Sequence, residues 1–239
     1  VGGGGAAASG VPGPLVGRGR AADVYDVGGG RVLRRYRVAR PPGATETEVA
    51  VMRHLAERGY PVPVVYDVAG DDVVMDRLDG VTMLSALESR PWRARALADQ
   101  LAELHRRLAA VDVGDLGASV PARFGPPSAV IHLDFHPDNV MLTERGPVVF
   151  DWSNAALGPP AADVAQTWIV GATSSIDAKG PTRLAVAAVR NRFVRRYVER
   201  CGRADAAALV PAVGAARLLD PNVRPEEATR VRALIARFE

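Results

Sequence analysis

The sequence predicts an α+β protein in two lobes, a small β-rich amino-terminal lobe with one helix and a larger, mainly helical carboxy-terminal lobe. Three observations predict it. From about residue 15 to 78, short strand-like runs alternate with Gly, Pro and Asp turns around a single helical stripe. Beyond about 82, apolar residues recur at helical spacing in long segments. One stretch, 129–153, AVIHLDFHPDNVMLTERGPVVFDWS, interrupts the helical part with apolar runs that deliver polar side chains.

The first fourteen residues, VGGGGAAASGVPGP, lack the charged and apolar regions of a signal peptide and read as a flexible, low-complexity lead. Residues 22–27 and 31–38 read as strands joined by the Gly28-Gly29-Gly30 turn, with Gly17 and Gly19 lying between them and a preceding run. By the two-residue period, Val32, Arg34 and Tyr36 share one face and Leu33 and Arg35 the other, so one arginine points inward. Pro41-Pro42-Gly43 ends that strand, and 45–58 reads as a helix whose Val49, Met52 and Leu55 form a core stripe. Glu48 lies beside that stripe, where it can pair with an inward arginine, whereas Glu46 reads as a solvated first-turn acid. Residues 64–68 and 72–75 read as a hairpin around Gly70-Asp71, and 76–82 is the natural boundary between lobes.

The second lobe begins with a helix over 92–110, lined by Leu97, Leu101, Leu104 and Leu108, with His105 read as structural or solvated. Helices follow over about 161–170, 183–203, 205–219 and 225–238. The expected organisation is a lead over 1–14, an amino-terminal lobe over 15–78 and a carboxy-terminal lobe over 79–239.

Composition narrows the function classes. Of 239 residues, 48% are hydrophobic and 24% charged, ordinary for a globular protein. Net charge is +3, Lys179 is the only lysine, and no basic block interleaves with aromatics, so a nucleic-acid partner is not expected. No apolar run reaches the roughly 18–20 residues of a membrane span. Cys201 stands alone, which rules out a disulfide framework and suits a reducing, cytoplasmic setting.

Chemistry concentrates in 129–153. Asp134 and Asn139 stand five apart on a loop after an apolar run, and a second apolar run, 147–150, delivers Asp151. Two carboxylates and an amide suit a divalent cation held by oxygen, with one carboxylate left for a reacting group. No GxxxxGK[ST] occurs, so a P-loop is not supported.

In order, a glycine turn, an inward arginine, a helix acid, a crossing segment, HxDxxxxN and a hairpin Asp follow the sequence of parts in a two-lobed kinase. HLDFHPDNV followed by VVFDW closely resembles the aminoglycoside phosphotransferase and choline kinase-like family, which has a protein-kinase-like fold. The resemblance runs from about Leu15 to Trp168. It implies that Asp134 is the catalytic aspartate facing the acceptor hydroxyl and that Asn139 and Asp151 are the magnesium ligands. It further implies that Gly17 and Gly19 form the loop over the phosphates, that Arg34 and Glu48 are the strand-three cation and its helix partner, and that Met75, the Asp76 carbonyl and the Leu78 amide flank the adenine. Asp163 matches an acid that braces the loop, and His132 and His136 read as hydrogen-bonding supports. At Arg34 the sequence departs from the family's lysine: arginine keeps the charge and grips phosphate bidentately, but is longer and planar.

The expected activity is Mg2+-dependent transfer of the γ-phosphate of ATP, with GTP left open, to a hydroxyl of a small molecule. The alternatives are a nucleotide-binding pseudokinase, motivated by Arg34, and a metal-dependent hydrolase using His132, Asp134, His136 and Asp151. From Asp151 onward, thirteen Lys and Arg stand against nine Asp and Glu, which argues weakly against a polycationic acceptor. Neither the acceptor nor the oligomeric state is readable from the sequence.

Overall fold

A computed structural model describes residues 13–19, 21–175 and 179–239. Most of the expected flexible lead, residues 1–12, lies outside the described residues. By its contacts the chain divides into two compact units, Val1–Gly80 with Met141–Ser153, and Val81–Val140 with Asn154–Glu239.

In the first unit, β1 (Leu15–Arg18), β2 (Ala22–Gly28) and β3 (Arg31–Tyr36) run antiparallel. The β2–β3 hairpin needs glycine: Gly28, Gly29 and Gly30 all have positive φ, which side chains rarely tolerate. Helix α1 (Ala44–Glu57) follows and stops at Gly59, φ 70°. Its Val49, Val51, Met52 and Leu55 are buried. Then come β4 (Val65–Ala69) and β5 (Asp72–Asp76), completing a five-stranded sheet in the order β1-β2-β3-β5-β4. The chain leaves through β6 (Gly80–Thr82).

The second unit opens with α2 (Met83–Ser89), capped where the Thr82 hydroxyl accepts the Ser85 N–H. Helix α3 (Ala94–Ala109) buries all four leucines of the expected stripe. Strand β7 (Ala129–Ile131) is wholly buried. The chain then passes through β8 (Val140–Thr143) and β9 (Gly146–Val149), whose contacts place Met141–Ser153 with the first unit. Two contacts fasten it there. The Val149 N–H donates to the Pro61 carbonyl at 2.8 Å, and buried Trp152 meets Tyr60 edge-on at 5.9 Å. The sequence reading set one boundary at 78/79 and had no means of seeing this return.

Strand β10 (Ala156–Gly158) pairs antiparallel with β7, and α4 (Ala161–Thr173), α5 (Gly180–Cys201), α6 (Arg203–Arg217) and α7 (Pro225–Ile235) complete the second unit. Its core joins Ile131, Leu133 and Ala156 to Ala165 and Ile169 of α4, Val210 and Val213 of α6, and Val231 and Leu234 of α7. Gly214 lets α6 approach closely, since a Cβ there would lie 2.8 Å from Ile235. No helix of the described residues is long and apolar enough to cross a membrane.

Candidate active site

The loop after β7 is built in the second unit. Buried β7, paired to β10 with Ile131 opposite Ala156, fixes where residues 132–134 emerge. Leu133 then takes φ +60°, a left-handed conformation that costs a non-glycine residue about 1–3 kcal/mol unless its surroundings enforce it. The enforcement comes from Asp163 in the first turn of α4. Its two carboxylate oxygens accept the His132 N–H at 2.9 Å and the Leu133 N–H at 2.6 Å. Asp163 is fully buried, and burial, with the Asp134 charge adding to it, pushes its carboxyl up to about 7 against the pull of the two backbone donors.

Asp134 is gripped on both oxygens. His136 Nε2 lies 3.2 Å from Oδ1, and Asn139 Nδ2 donates to Oδ2 at 3.1 Å and to the Asp134 carbonyl at 2.9 Å. Burial alone would raise this carboxyl, but His136, His132 and the Asn139 amide outweigh it and hold it at about 2. His136 Nδ1 lies against the Asp138 N–H, which leaves Nε2 facing Asp134. His132 Nδ1 accepts the Asp134 N–H at 3.2 Å. Phe135, buried, lies between the rings of His105 at 5.5 Å and His132 at 5.8 Å, and its carbonyl accepts the Thr167 hydroxyl. His105 is buried, keeps its ring neutral with burial holding it down at about 4, and lies 3.1 Å from the Pro160 carbonyl. Of the two roles left open for it, the structural one is what the geometry supplies.

The first unit builds a different assembly. Arg34 on β3 is buried and donates from Nη1 to Glu48 Oε1 at 2.7 Å. Burial works against its charge, but Glu48, with smaller contributions from Tyr36 and Asp151, raises it beyond the usual arginine value. Arg40, which sequence reasoning missed, donates to the other Glu48 oxygen at 2.7 Å and to the Thr45 hydroxyl at 3.0 Å. Two guanidinium groups thus share one carboxylate, while Arg34 Nε and Nη2 are buried without a hydrogen-bond partner among the described residues. Buried donors of a charged group are costly to leave unpaired, so a basic pocket of this kind fits an anion. The Tyr36 hydroxyl lies 3.4 Å from Glu48 and is pushed up to about 12, by burial first and then by Glu48, so it stays neutral.

Asp151 follows β9 with φ +63°, exposed, and its Oδ1 accepts the Ser153 hydroxyl at 2.8 Å. Among the described residues, Oδ2 of Asp151 and Oδ1 of Asn139 accept no hydrogen bond. Both are hard oxygen donors of the kind Mg2+ takes.

The glycines behave differently from the expectation. Gly17 lies within β1 rather than between strands, and neither it nor Gly19 has positive φ. The Gly19 N–H is already committed to the Ala22 carbonyl at 2.8 Å, and its own carbonyl accepts Arg37 Nη2. Met75 is buried in β5. The Asp76 side chain is spent on the Val64 N–H and the Tyr66 hydroxyl, which leaves only its backbone for any recognition role. Leu78 lies just past β5, half-buried.

Comparison with known proteins speaks to the family and the fold. The sequence profile of the phosphotransferase enzyme family matches residues 14–119 and 113–208. No curated protein matches the chain by sequence. Among solved structures, a thermostable mutant of aminoglycoside phosphotransferase APH(4)-Ia, in ternary complex with ADP and hygromycin B, superposes with a TM-score of 0.63 at 19% identity, covering 94% of this chain and 92% of that one. A choline/ethanolamine kinase family protein from Mesorhizobium loti gives 0.55 at 18% identity, covering 98% and 88%. The amicoumacin kinase hAmiN, in complex with AMP-PNP, Ca2+ and its antibiotic, gives 0.55 at 14%, covering 94% and 86%. At these identities the likeness speaks to fold, and the fold is α+β and protein-kinase-like.

Proposed function

We propose that this chain, which belongs to the phosphotransferase enzyme family, transfers the γ-phosphate of ATP to a hydroxyl group of a small molecule. The observation that carries the proposal is the grip on Asp134: a carboxylate held on both oxygens, on a loop kept strained by a buried acid thirty residues away. A structural aspartate has no need of such a frame, whereas an aspartate that must orient a hydroxyl does.

The magnitude of its basicity decides how Asp134 works. Held at about 2, it lies roughly 14 pKa units below a water-like hydroxyl, or roughly 19 kcal/mol. A turnover of about 10 s−1 corresponds to a total barrier of only about 16 kcal/mol. Full deprotonation before phosphoryl transfer is therefore too costly. Asp134 instead accepts a hydrogen bond from the acceptor hydroxyl through a remaining lone pair, aligns it, and takes the proton late, as a loose transition state allows. The pair His136 and Asn139 fixes the carboxylate plane and Asp163 fixes the backbone beneath it. In this reading Nε and Nη2 of Arg34 donate to phosphate oxygens, and Glu48 and Arg40 hold Arg34 in place. Met75, Asp76 and Leu78 line the adenine, and Gly17 and Gly19 contribute close backbone rather than free N–H groups. Asn139 Oδ1 and Asp151 Oδ2 would hold Mg2+, which when bound neutralises charge developing on the phosphates.

The hydrolase reading loses support. His132 and His136 each spend Nδ1 on a backbone N–H, and among the described residues no group of three His, Cys, Asp or Glu could hold a metal ion. The test is a screen of hydroxyl-bearing small molecules for stimulated ATP consumption. Asp134→Ala is expected to abolish transfer, at least a thousandfold, while nucleotide affinity stays near that of the parent. Retained transfer would show that the residue assigned to the hydroxyl is the wrong one. Nucleotide binding without transfer to any acceptor would favour the pseudokinase reading.

A further inference from the structure

A cavity of about 670 Å3 opens in the second unit, lined by α4 and α5, by Arg95 of α3, Arg203 of α6 and Leu234 of α7, and by Arg237 and Phe238 beyond α7. Among the described residues that line it, six are arginines and one, Glu199, is an acid. Two of the arginines are spoken for: Arg196 holds Asp99 through two bonds, at 2.8 and 3.1 Å, and Arg195 lies 3.8 Å from Glu199. Arg95, Arg192, Arg203 and Arg237 make no direct ion pair among the described residues, and Arg95 alone of the four feels a nearby carboxylate, that of Asp99, which Arg196 already holds. Arg203 is laid over the Trp168 ring at 4.5 Å, and Trp168 in turn meets Phe238 edge-on at 5.2 Å, so an aromatic floor fixes at least one of the four.

We propose that this cavity is a binding site for a small organic molecule carrying two or more phosphate groups, separate from the site of phosphoryl transfer. Four guanidinium groups around one concavity repel one another until an anion enters, and their planar forks fit phosphate oxygens bidentately. A phosphate carries about −1.5 to −2 charge near neutral pH, so two suffice to balance four arginines where four carboxylates would be needed. The volume falls within the range of roughly 300–1,000 Å3 typical of small-molecule sites. At its Arg95 end the cavity is set apart from that loop by the length of α3. Arg95 borders the cavity and His105, ten residues along α3, packs on Phe135 of the Asp134 loop; at about 1.5 Å per residue the two lie about 15 Å apart. None of residues 132–139 lines the cavity.

This inference does not rest on the proposed activity, and its test measures no turnover. The full chain is titrated calorimetrically with inositol hexakisphosphate at constant ionic strength, beside two double variants. R192Q/R237Q removes two unpaired cavity arginines; R53Q/R145Q removes two exposed arginines elsewhere. All four side chains are exposed, so unliganded unfolding midpoints are expected to match the parent. The expected result is saturable one-to-one binding, weakened at least tenfold in R192Q/R237Q and less than twofold in R53Q/R145Q. Absence of saturable binding in the parent, an equal loss in both variants, or full retention in R192Q/R237Q would each overturn the assignment.

Discussion

The Asp134 loop and the Arg34 cradle both place charge where burial opposes it, yet they do so by opposite means. The loop is held through backbone. Asp163 satisfies two consecutive N–H groups, and the polar side chains around Asp134 are imidazoles and an amide. The cradle is held through side-chain charge, with Arg34 and Arg40 on the two oxygens of Glu48. The first device fixes geometry through backbone donors, which suits a group that must be aimed. The second concentrates positive charge and leaves donors open, which suits a group that must attract. Damage to the cradle should therefore register in stability and nucleotide affinity, and damage to the loop in turnover.

The comparison can be broken at Glu48 first. Glu48→Ala leaves two buried guanidinium groups without their anion and is expected to cost about 3–5 kcal/mol, read as a lowered urea midpoint. A loss under 1 kcal/mol would mean that solvent already shares the cradle's charge.

The next effect is on pH dependence. Folded Asp163 is held above its ordinary value, at about 7, so the folded chain keeps a proton that the unfolded chain releases above about 4. On its account, stability falls as pH rises between those values, by about 1.4 kcal/mol per unit. Asp134, held at about 2, acts in the other direction: its stabilisation is complete above about 4 and is lost as pH falls toward 2. Urea midpoints of the parent and Asp163→Asn from about pH 2 to 7 separate the two, because the variant should lose the downward slope above pH 4 and keep the acid limb below it.

Arg40→Gln sharpens the distinction on the cradle side. It removes one charge-assisted bond but leaves Glu48 with Arg34, so about 1.5–3 kcal/mol is expected, with a weaker nucleotide affinity and an unchanged turnover at saturation. A turnover loss with normal affinity would place Arg40 with the loop instead. The smallest effect is expected at Ser153→Ala, which frees one exposed oxygen of Asp151 and should change Mg2+-dependent nucleotide binding by about twofold or less, measured by titration.

The comparison also explains what was legible in the sequence. Arg34 could be placed inward by strand period and Glu48 beside it by helix period, because both lie on regular elements whose repeat assigns a face. The Asp134 to Asn139 spacing was legible because five residues of loop bring an amide back to its own carboxylate. Arg40 was not, since it sits between β3 and α1 where no period applies. The positive φ of Leu133 was hidden for another reason: nothing in a leucine announces a left-handed backbone when a distant carboxylate imposes it. Gly17 and Gly19 misled in the reverse sense, because glycine signals backbone freedom that these positions do not use. The grouping of Met141–Ser153 with the first unit depended on Tyr60 and Pro61, contacts about ninety residues distant in the chain.

Two bonds to one acid also have a consequence for how the chain can vary. Asp163 ties off a long excursion that starts at His132 and includes the β8–β9 turn at Glu144-Arg145, both exposed. Residues added at that tip lengthen the excursion without loosening its knot, and closing a somewhat longer loop costs only a few tenths of a kcal/mol. Relatives with longer or shorter tips can thus keep an identical aspartate geometry, while a single residue inserted between 132 and 134 would destroy it.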